Sequence, residues 1–246
     1  MNWDPSPSTQ TTQIIQQNLC NLCTRWLFIS TPAFSSDSAK SSSEAENLGG
    51  AAQKAQNLWH YEITMKHLTM EELEAALDHL RQSPKDEGVV QLIVRRPKVD
   101  EREVIDEGEL DPAGGLIGDS WSLRGSRRTA DGSPHPDMQI NIMNARVTAL
   151  VAQEKERWAL AGDQLYIDMD LSKENLPAGS RIAIGSAVLE VSPFPHTGCH
   201  KFVARFGLDA MKFVNSEVGK QLCLRGINAK VIQGGVVKVG QSAKKV

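Results

Sequence analysis

The segment around Cys199 combines the residue types that thiol chemistry needs. Pro193 and Pro195 restrict the backbone before the cysteine, and Gly198 directly before it permits a positive φ or a close approach of another group. A thiolate is both the nucleophilic form of cysteine and a soft metal ligand. The sequence therefore predicts that Cys199 is a reactive thiol or a metal ligand within a loop.

Three basic or titratable residues flank this cysteine. His196 and His200 could each move a proton or supply a positive charge, and Lys201 could hold an anionic cofactor. Cations beside a thiol favour its thiolate form. The alternative for the histidines is an ordinary structural place, and for Lys201 it is a solvated surface charge.

The other cysteines carry weaker signals of function. Cys223 stands in an apolar stretch and is interpreted as a small buried hydrophobe. Cys20 and Cys23 have C-x-x-C spacing, but no second pair of ligands accompanies them in the sequence. Four cysteines in 246 residues are too few for a disulfide scaffold, which favours a reducing compartment.

A second group of candidates lies in the section 100–137, which is rich in Gly, Pro and charge and is predicted to be a long loop. Arg124, Arg127 and Arg128 form a basic cluster there together with His135. Because a guanidinium matches a phosphate as a two-pronged donor, these arginines are candidate cofactor ligands. A solvated run of charges is the alternative.

Asn144 and Arg146 directly follow a predicted strand and are further candidate cofactor contacts. Asparagine is also a preferred N-cap residue, and capping of the next helix explains Asn144 without any ligand. We favour the capping interpretation for Asn144.

The elements that position these residues can be predicted from periodicity. Thr69 and Glu72 have the spacing of a capping box at the start of a helix that ends near Ser83–Pro84, and Asp209 is a predicted cap of another helix, with Met211, Val214 and Val218 on one face. Gly234–Gly235 is a predicted two-residue hairpin turn. The predicted strands are 59–63, 89–94, 138–142, 164–169, 181–184, 187–191, 229–233 and 236–239. Many short strands with few helices favour a β-barrel decorated by helices.

Composition divides the chain in two. Residues 1–57 are rich in Ser, Thr, Gln and Asn and are predicted to be a disordered extension, whereas 58–246 form the folded domain. The net charge of -3 and the absence of a Lys/Arg stripe speak against a nucleic-acid partner. The sequence has no apolar stretch of about 20 residues, which speaks against a membrane partner. The expected location is cytoplasmic, with organellar import left open.

Several motifs, taken together, resemble one known family. Gly115-Leu116-Ile117-Gly118-Asp119 resembles the Gly-Leu-x-Gly-Asp signature near the start of MOSC domains, which are named after the C-terminal part of molybdenum cofactor sulfurases. Asn175-Leu176, Gly179 and Ile184-Gly185 follow in the family's order. The segment from Val191 to Phe202 is similar to the family's strand, proline-containing loop and Cys-x-Lys core. The resemblance covers about 89–240, and Gly240-Gln241 departs from the common Gly-Asp.

This resemblance implies an α+β fold with a MOSC-type β-barrel decorated by helices. It also implies that Cys199 is the thiolate ligand of a molybdenum cofactor (molybdopterin) in an oxidoreductase that reduces N-hydroxylated or related small molecules, with an electron-donor protein as partner. The alternative is a sulfur carrier or cofactor-handling protein that holds a persulfide on Cys199 without turnover. The third hypothesis is a MOSC-like binding module that holds no metal. Pyridoxal phosphate is not expected, because the chain has no room for the aminotransferase-like domain of the larger relatives.

Removal of residues 1–57 should leave a soluble, cooperatively folded core. A segment that buries little apolar surface contributes little stability, so the thermal midpoint should change by less than about 3 °C. Thermal unfolding followed by circular dichroism checks this. A truncated chain that does not fold, or that melts much earlier, would show that the extension packs on the domain.

Overall fold

The computed structural model of the protein describes residues 66–246. The predicted extension over 1–57, the boundary at 58, the predicted strand 59–63, and Cys20 and Cys23 lie outside the described residues.

Eleven strands and six helices make up this part of the chain. The strands are β1 (Glu87–Arg95), β2 (Glu103–Ile105), β3 (Glu107–Asp111), β4 (Gly115–Leu116), β5 (Ile140–Asn144), β6 (Leu165–Asp168), β7 (Arg181–Ile184), β8 (Ala187–Pro195), β9 (Ile227–Gln233), β10 (Gly235–Lys238) and β11 (Ser242–Lys245). The helices are α1 (Met70–Ala75), α2 (Leu77–Arg81), α3 (Ala145–Ala152), α4 (His200–Phe206), α5 (Leu208–Asn215) and α6 (Glu217–Gln221). Short 3-10 turns cover Ser120–Leu123, Pro136–Met138 and Lys155–Ala161.

Seven strands close into a barrel. Around the barrel their order is β1, β11, β7, β8, β9, β5 and β6, and β6 pairs with β1 to close the ring. Only the β5–β6 pair in this ring is parallel, and the other pairs are antiparallel. A closed barrel leaves no free edge among these strands, which removes the aggregation hazard of an open sheet. The predicted α+β fold, a β-barrel carrying helices, is confirmed.

The hydrophobic core has two parts that share the barrel wall. Val90 and Ile93 of β1 face the interior of the barrel, whereas Leu92 and Val94 face the helices outside. Tyr166 of β6 belongs to the outer part as well and is fully buried there. Strands that are buried on both faces read as continuous apolar runs. This explains why the sequence shows an apolar block here without alternation.

Asn144 joins the barrel to two other segments. Its Oδ1 accepts hydrogen bonds from the backbone N–H groups of Arg146 and Val147, which confirms the predicted cap of α3. Its Nδ2 donates to Ser83 Oγ at 2.9 Å and to the Met169 carbonyl at 2.6 Å. The predicted capping box of Thr69 and Glu72 at the start of α1 is also confirmed.

The predicted cap at Asp209 is wrong. Helix α5 begins one residue earlier, at Leu208, after Gly207 with φ +90°, and no side chain caps it. Val218 lies in α6, which Ser216 caps from its side chain. The apolar spacing that suggested one helix crosses a break between two short ones, because Ser216 is extended.

The predicted terminal hairpin is also wrong. β10 pairs with β3 in a separate three-stranded sheet, whereas β9 stays in the barrel between β8 and β5. A Cβ on Gly235 would lie 2.3 Å from Ser186 Oγ and 2.7 Å from the backbone N of Ala187. Close packing against the turn between β7 and β8, not a tight turn, therefore explains Gly235.

The section 100–137 has more structure than predicted. It contains β2, β3 and β4, and β3 provides the middle strand of the small sheet. Exposed and buried residues alternate in β3, but its exposed positions Glu107 and Glu109 are charged. The sequence of β3 therefore resembles a charged loop more than a strand. Gly108 is buried, and a Cβ there would meet Leu116 at 2.7 Å.

Replacement of Asn144 by alanine should lower the free energy of unfolding by about 2–4 kcal/mol, because it removes a helix cap and leaves a buried carbonyl without its donor. Chemical denaturation measures this loss. The exposed control Ser122→Ala should change stability by no more than about 0.5 kcal/mol. Equal, small effects in both variants would contradict the structural role given to Asn144.

Candidate functional site

Cys199 lies at the rim of a cavity of about 350 Å³. It occupies the N-cap position of α4 and is exposed. The cavity is lined by seven parts of the chain: Arg96 after β1, the stretch 98–102, the stretch 120–124, Asn141 in β5, residues 161–162 before β6, the stretch 196–205 and Arg225. Several chain reversals thus bring residues that are far apart in sequence to one end of the barrel.

The cavity is strongly basic. Seven of its lining residues are Lys or Arg, whereas Asp100 is the one carboxylate among them. The cations are Arg96, Lys98, Arg102, Arg124, Lys201, Arg205 and Arg225. Cations gathered around a concave surface raise the local concentration of anions, because the protein walls have a low dielectric constant. The cavity therefore fits an anionic ligand.

A buried ion pair forms one wall. The guanidinium of Arg96 donates to Asp119 twice, from Nε at 2.8 Å and from Nη2 at 3.0 Å. Its Nη1 donates to Asn141 Oδ1 and to the Gly162 carbonyl. Arg124 lies 3.6 Å from the same Asp119 carboxylate and is half-exposed to the cavity. Arg96 is thus occupied by protein groups, whereas Arg124 can also reach a ligand.

A second buried pair lies behind His196. Arg225 donates to both carboxylate oxygens of Asp163, at 3.0 and 2.8 Å, and to the Ala161 carbonyl. Burial raises the pKa of Asp163, although the charge of Arg225 opposes this shift. The Arg225 guanidinium also lies over the Phe202 ring, 5.0 Å from its centre. Aromatic packing and the ion pair fix this arginine in place.

His196 is neutral at physiological pH. Burial, and next the positive charges of Arg225 and Arg96, lower its pKa well below the ordinary value. Its Nδ1 is 3.3 Å from Asp163 Oδ1, yet among the described residues this nitrogen has no partner with hydrogen-bond geometry. At neutral pH, His196 therefore adds no positive charge to the cavity.

Asp100 forms ion pairs with two cations on the opposite wall of the cavity. Lys201 Nζ lies 2.8 Å from its Oδ1, and Arg205 Nη2 lies 3.1 Å from the same oxygen. Arg102 is close by, and burial and the charges of Arg205 and Arg96 lower its pKa. Within residues 66–246, the buried Nε of Arg102 has no hydrogen-bond partner. Such an orphaned donor is costly unless an acceptor completes it, which suits an anion bound in the cavity.

The loop that carries Cys199 is held by Asn215 of α5. Asn215 Oδ1 accepts from the Gly198 backbone N–H at 2.9 Å, and its Nδ2 donates to the Gly198 carbonyl at 3.1 Å. A Cβ on Gly198 would lie 3.2 Å from both Asn215 and Val214. Gly198 therefore permits a close approach of these side chains, and its φ is not positive.

The structure brings four predicted site residues together: Cys199, His196, Lys201 and Arg124 all line the cavity. The remaining candidates lie elsewhere. His200 and Arg127 are exposed and do not line it, and Arg128 lies over the Phe194 ring at 5.6 Å. Asn144 serves as the helix cap described above, and Arg146 pairs with Asp168 at 2.7 Å.

Sequence reasoning missed the arginines that contribute most to the cavity. Arg102, Arg205 and Arg225 have no Lys or Arg directly beside them in the sequence, and Arg96 has only Arg95 beside it. A signal was present at two of them, because Arg96 directly follows an apolar strand and Arg225 follows an apolar Leu-Cys-Leu stretch. A charge next to such a run needs a partner when it is buried.

The described residues hold no group of three or more His, Cys, Asp or Glu that could bind a metal ion. A metal at Cys199 would thus depend on ligands from a cofactor. No helix in the stretch 66–246 has the length and apolar character needed to cross a membrane.

Comparison with known proteins gives little beyond this geometry. No protein-family profile matches the chain, and no curated protein matches it in sequence. Among solved structures, the YUAD protein from Bacillus subtilis is 18% identical, and the match covers 65% of this chain and 95% of that one with a TM-score of 0.46. YiiM from Escherichia coli is 22% identical over 64% of this chain and 69% of its own, with a TM-score of 0.41. YiiM from Geobacillus stearothermophilus is 17% identical over 65% and 75%, with a TM-score of 0.45. With TM-scores below 0.5, these likenesses carry no argument about activity.

Cys223 is half-buried, not fully buried as predicted, because it lies in a turn with φ +49° next to a second cavity. Burial raises the pKa of its thiol.

Iodoacetamide should therefore modify the exposed Cys199 at least about tenfold faster than Cys223 at neutral pH. Peptide mapping by mass spectrometry separates the two sites from Cys20 and Cys23. Because its pKa is raised, Cys223 should keep gaining reactivity at a pH where a free cysteine has levelled off. Equal rates at Cys199 and Cys223 would contradict this account of the two thiols.

Proposed function

We propose that this chain is a molybdenum-cofactor-binding protein of the MOSC type that reduces N-hydroxylated or related small molecules. The observation that carries the proposal is the position of Cys199, an exposed thiol at the rim of a cavity with seven cations and one carboxylate. The motifs around residues 115–119 and 191–202 that resemble MOSC domains support it independently.

The residues present fit such a cofactor. Molybdopterin carries a phosphate, and a phosphate needs several fixed donors and positive charge. Arg102 has an unused buried Nε, and Arg124 and Lys201 reach the cavity with partly exposed side chains. The cavity volume of about 350 Å³ lies within the range of small-molecule sites. Cys199 offers a soft sulfur ligand at the same opening.

The roles of the chain's own groups follow from their environments. Bound here, the cofactor would supply the redox chemistry of the reaction. Reduction of an N–OH group to N–H takes two electrons from a donor protein and two protons, and it releases water. His196, held neutral by burial, can pass a proton between solvent and the cavity. Arg96 and Arg225, each held by a buried carboxylate, form fixed walls of the cavity.

One observation favours a second candidate function. Because Cys199 is exposed, a partner protein could reach its sulfur directly. A persulfide on Cys199, with no turnover, would make the chain a sulfur carrier or cofactor-handling protein.

Metal and pterin analysis decides between these functions. Full-length protein from a host that makes the cofactor should contain molybdenum and pterin at close to one per chain. Cys199→Ser replaces the soft ligand by a hard hydroxyl and should lose the molybdenum and the reductase activity, whereas Cys223→Ser should keep both.

Arg124→Ala should lower the pterin content several-fold, because it removes a cation from the cavity. The variant Arg127→Ala, at an exposed position, is its matched control.

Full metal content in Cys199→Ser would contradict the proposed ligand. Sulfane sulfur on Cys199 without metal would instead establish the second candidate.

A further inference from the structure

A second, larger cavity adjoins the basic one. Its volume is about 600 Å³, and His196 and Arg225 line both cavities. The second cavity lies between the end of β8, the stretch 176–178 and the stretch 219–227 that leads into β9. The proposed function makes no use of it.

The walls of this cavity are mostly apolar. Phe194, Pro193 and Pro195 form one side, and Leu176 and Ile227 belong to the lining as well. Cys223 lines this wall and is half-buried, and burial raises the pKa of its thiol. An apolar cavity of this volume is large enough to bind a small hydrophobic molecule.

The Phe194 wall is fixed from outside. The His135 ring packs edge-on against it with the ring centres 4.4 Å apart, and the Arg128 guanidinium covers it at 5.6 Å. Two residues of the predicted basic cluster therefore shape this second cavity, whereas Arg124 lines the first.

All charged residues that line the second cavity are cationic. They are Lys173, Lys220 and Arg225, and no carboxylate is among the lining residues. Lys173 and Lys220 form no ion pair with any described residue. Burial is the main cause of the raised pKa of the Cys223 thiol. The carboxylate of Asp170, which does not line the cavity, also raises this pKa, whereas Lys173 lowers it.

Arg225, which lines both cavities and is paired with Asp163, has one donor that no described residue uses. Its side chain is only 9% exposed, and its Nε has no hydrogen-bond partner among residues 66–246. Asp163 and the Ala161 carbonyl occupy its other nitrogens. A donor buried to this degree is expected to find an acceptor.

We propose that this cavity binds a small hydrophobic molecule that carries one anionic group, such as a medium-chain carboxylate or an aryl sulfonate. The apolar walls hold the body of the ligand, and its anionic end lies towards Lys173, Lys220 and Arg225. This inference does not depend on the proposed function, because a chain that binds no molybdenum would still hold such a ligand.

Fluorescence titration of the full-length protein tests the proposal. The probes are 1-anilinonaphthalene-8-sulfonate, which is anionic, and N-phenyl-1-naphthylamine, which has the same rings without the charge. The sulfonate should bind at one saturable site, and decanoate should displace it. Ala178→Trp at the wall of the cavity should weaken this binding about tenfold or more by filling it. Ala75→Trp, an exposed position on α1, is the matched control and should bind as the wild type does.

Charge is tested separately. The double variant Lys173→Ala/Lys220→Ala should weaken the sulfonate about threefold to tenfold, since each exposed cation contributes up to about 1 kcal/mol. It should leave the binding of N-phenyl-1-naphthylamine unchanged, and Lys155→Ala/Lys212→Ala should change the binding of neither probe.

Unchanged sulfonate binding in Ala178→Trp would overturn the location of the site. Equal effects of the lysine variant on both probes would overturn the anionic class of the ligand.

If Ala178→Trp does not fold, protection of Cys223 in the unaltered chain decides the location. Saturating decanoate should slow alkylation of Cys223 several-fold and leave Cys199 unaffected. Alkylation of Cys223 at the same rate with and without decanoate would reject the site.

Discussion

The ion pair between Arg96 and Asp119 is the interaction on which this end of the barrel depends. Asp119 is completely buried and begins the turn after β4, whereas Arg96 directly follows β1. The same guanidinium also bonds Asn141 at the start of β5 and the Gly162 carbonyl before β6. Removal of one partner from such a pair leaves an uncompensated buried charge, at a cost of about 3–5 kcal/mol. Four segments of the chain are therefore held by a single side chain.

This constraint explains why the cavity beside Cys199 is so basic. The buried carboxylates of Asp119 and Asp163 compensate Arg96 and Arg225, which form the walls, and Asp100 is shared among cations nearer the surface. The seven cations of the cavity outnumber the carboxylates that pair with them in the described part of the chain, which are Asp100, Glu101, Asp119 and Asp163, so the free energy of the site favours an anion. Burial, and next the charges of Arg225 and Arg96, lower the pKa of His196 and keep it neutral. The same two arginines therefore contribute to the basic cavity and to the neutral imidazole.

The sequence predicts six of the seven barrel strands and the capped starts of α1 and α3, because periodicity and capping are local signals. Cys199 and its loop can also be found from the sequence, since a cysteine among prolines and a glycine is unusual for a plain core position. Apart from Arg124, the arginines of the cavity could not be assigned to the site this way: at most, the neighbouring apolar runs mark Arg96 and Arg225 as charges that need a buried partner, and those partners are distant carboxylates such as Asp163. The pairing of β10 with β3 was missed for a related reason: Gly234–Gly235 has the composition of a hairpin turn, but long-range packing of Gly235 against Ser186 determines the path. Local composition indicates which residues are unusual, and only the fold shows which of them meet.

The central claim is that a metal-bearing anionic cofactor lies in the basic cavity with Cys199 as its ligand. The most direct measurement is a crystal structure of the full-length protein from a cofactor-producing host, with anomalous scattering recorded at the molybdenum edge. The account predicts one anomalous peak within bonding distance of Cys199 Sγ, with density for the phosphate between Arg102 and Arg124. A peak bound to other groups, or phosphate density outside this cavity, would contradict it.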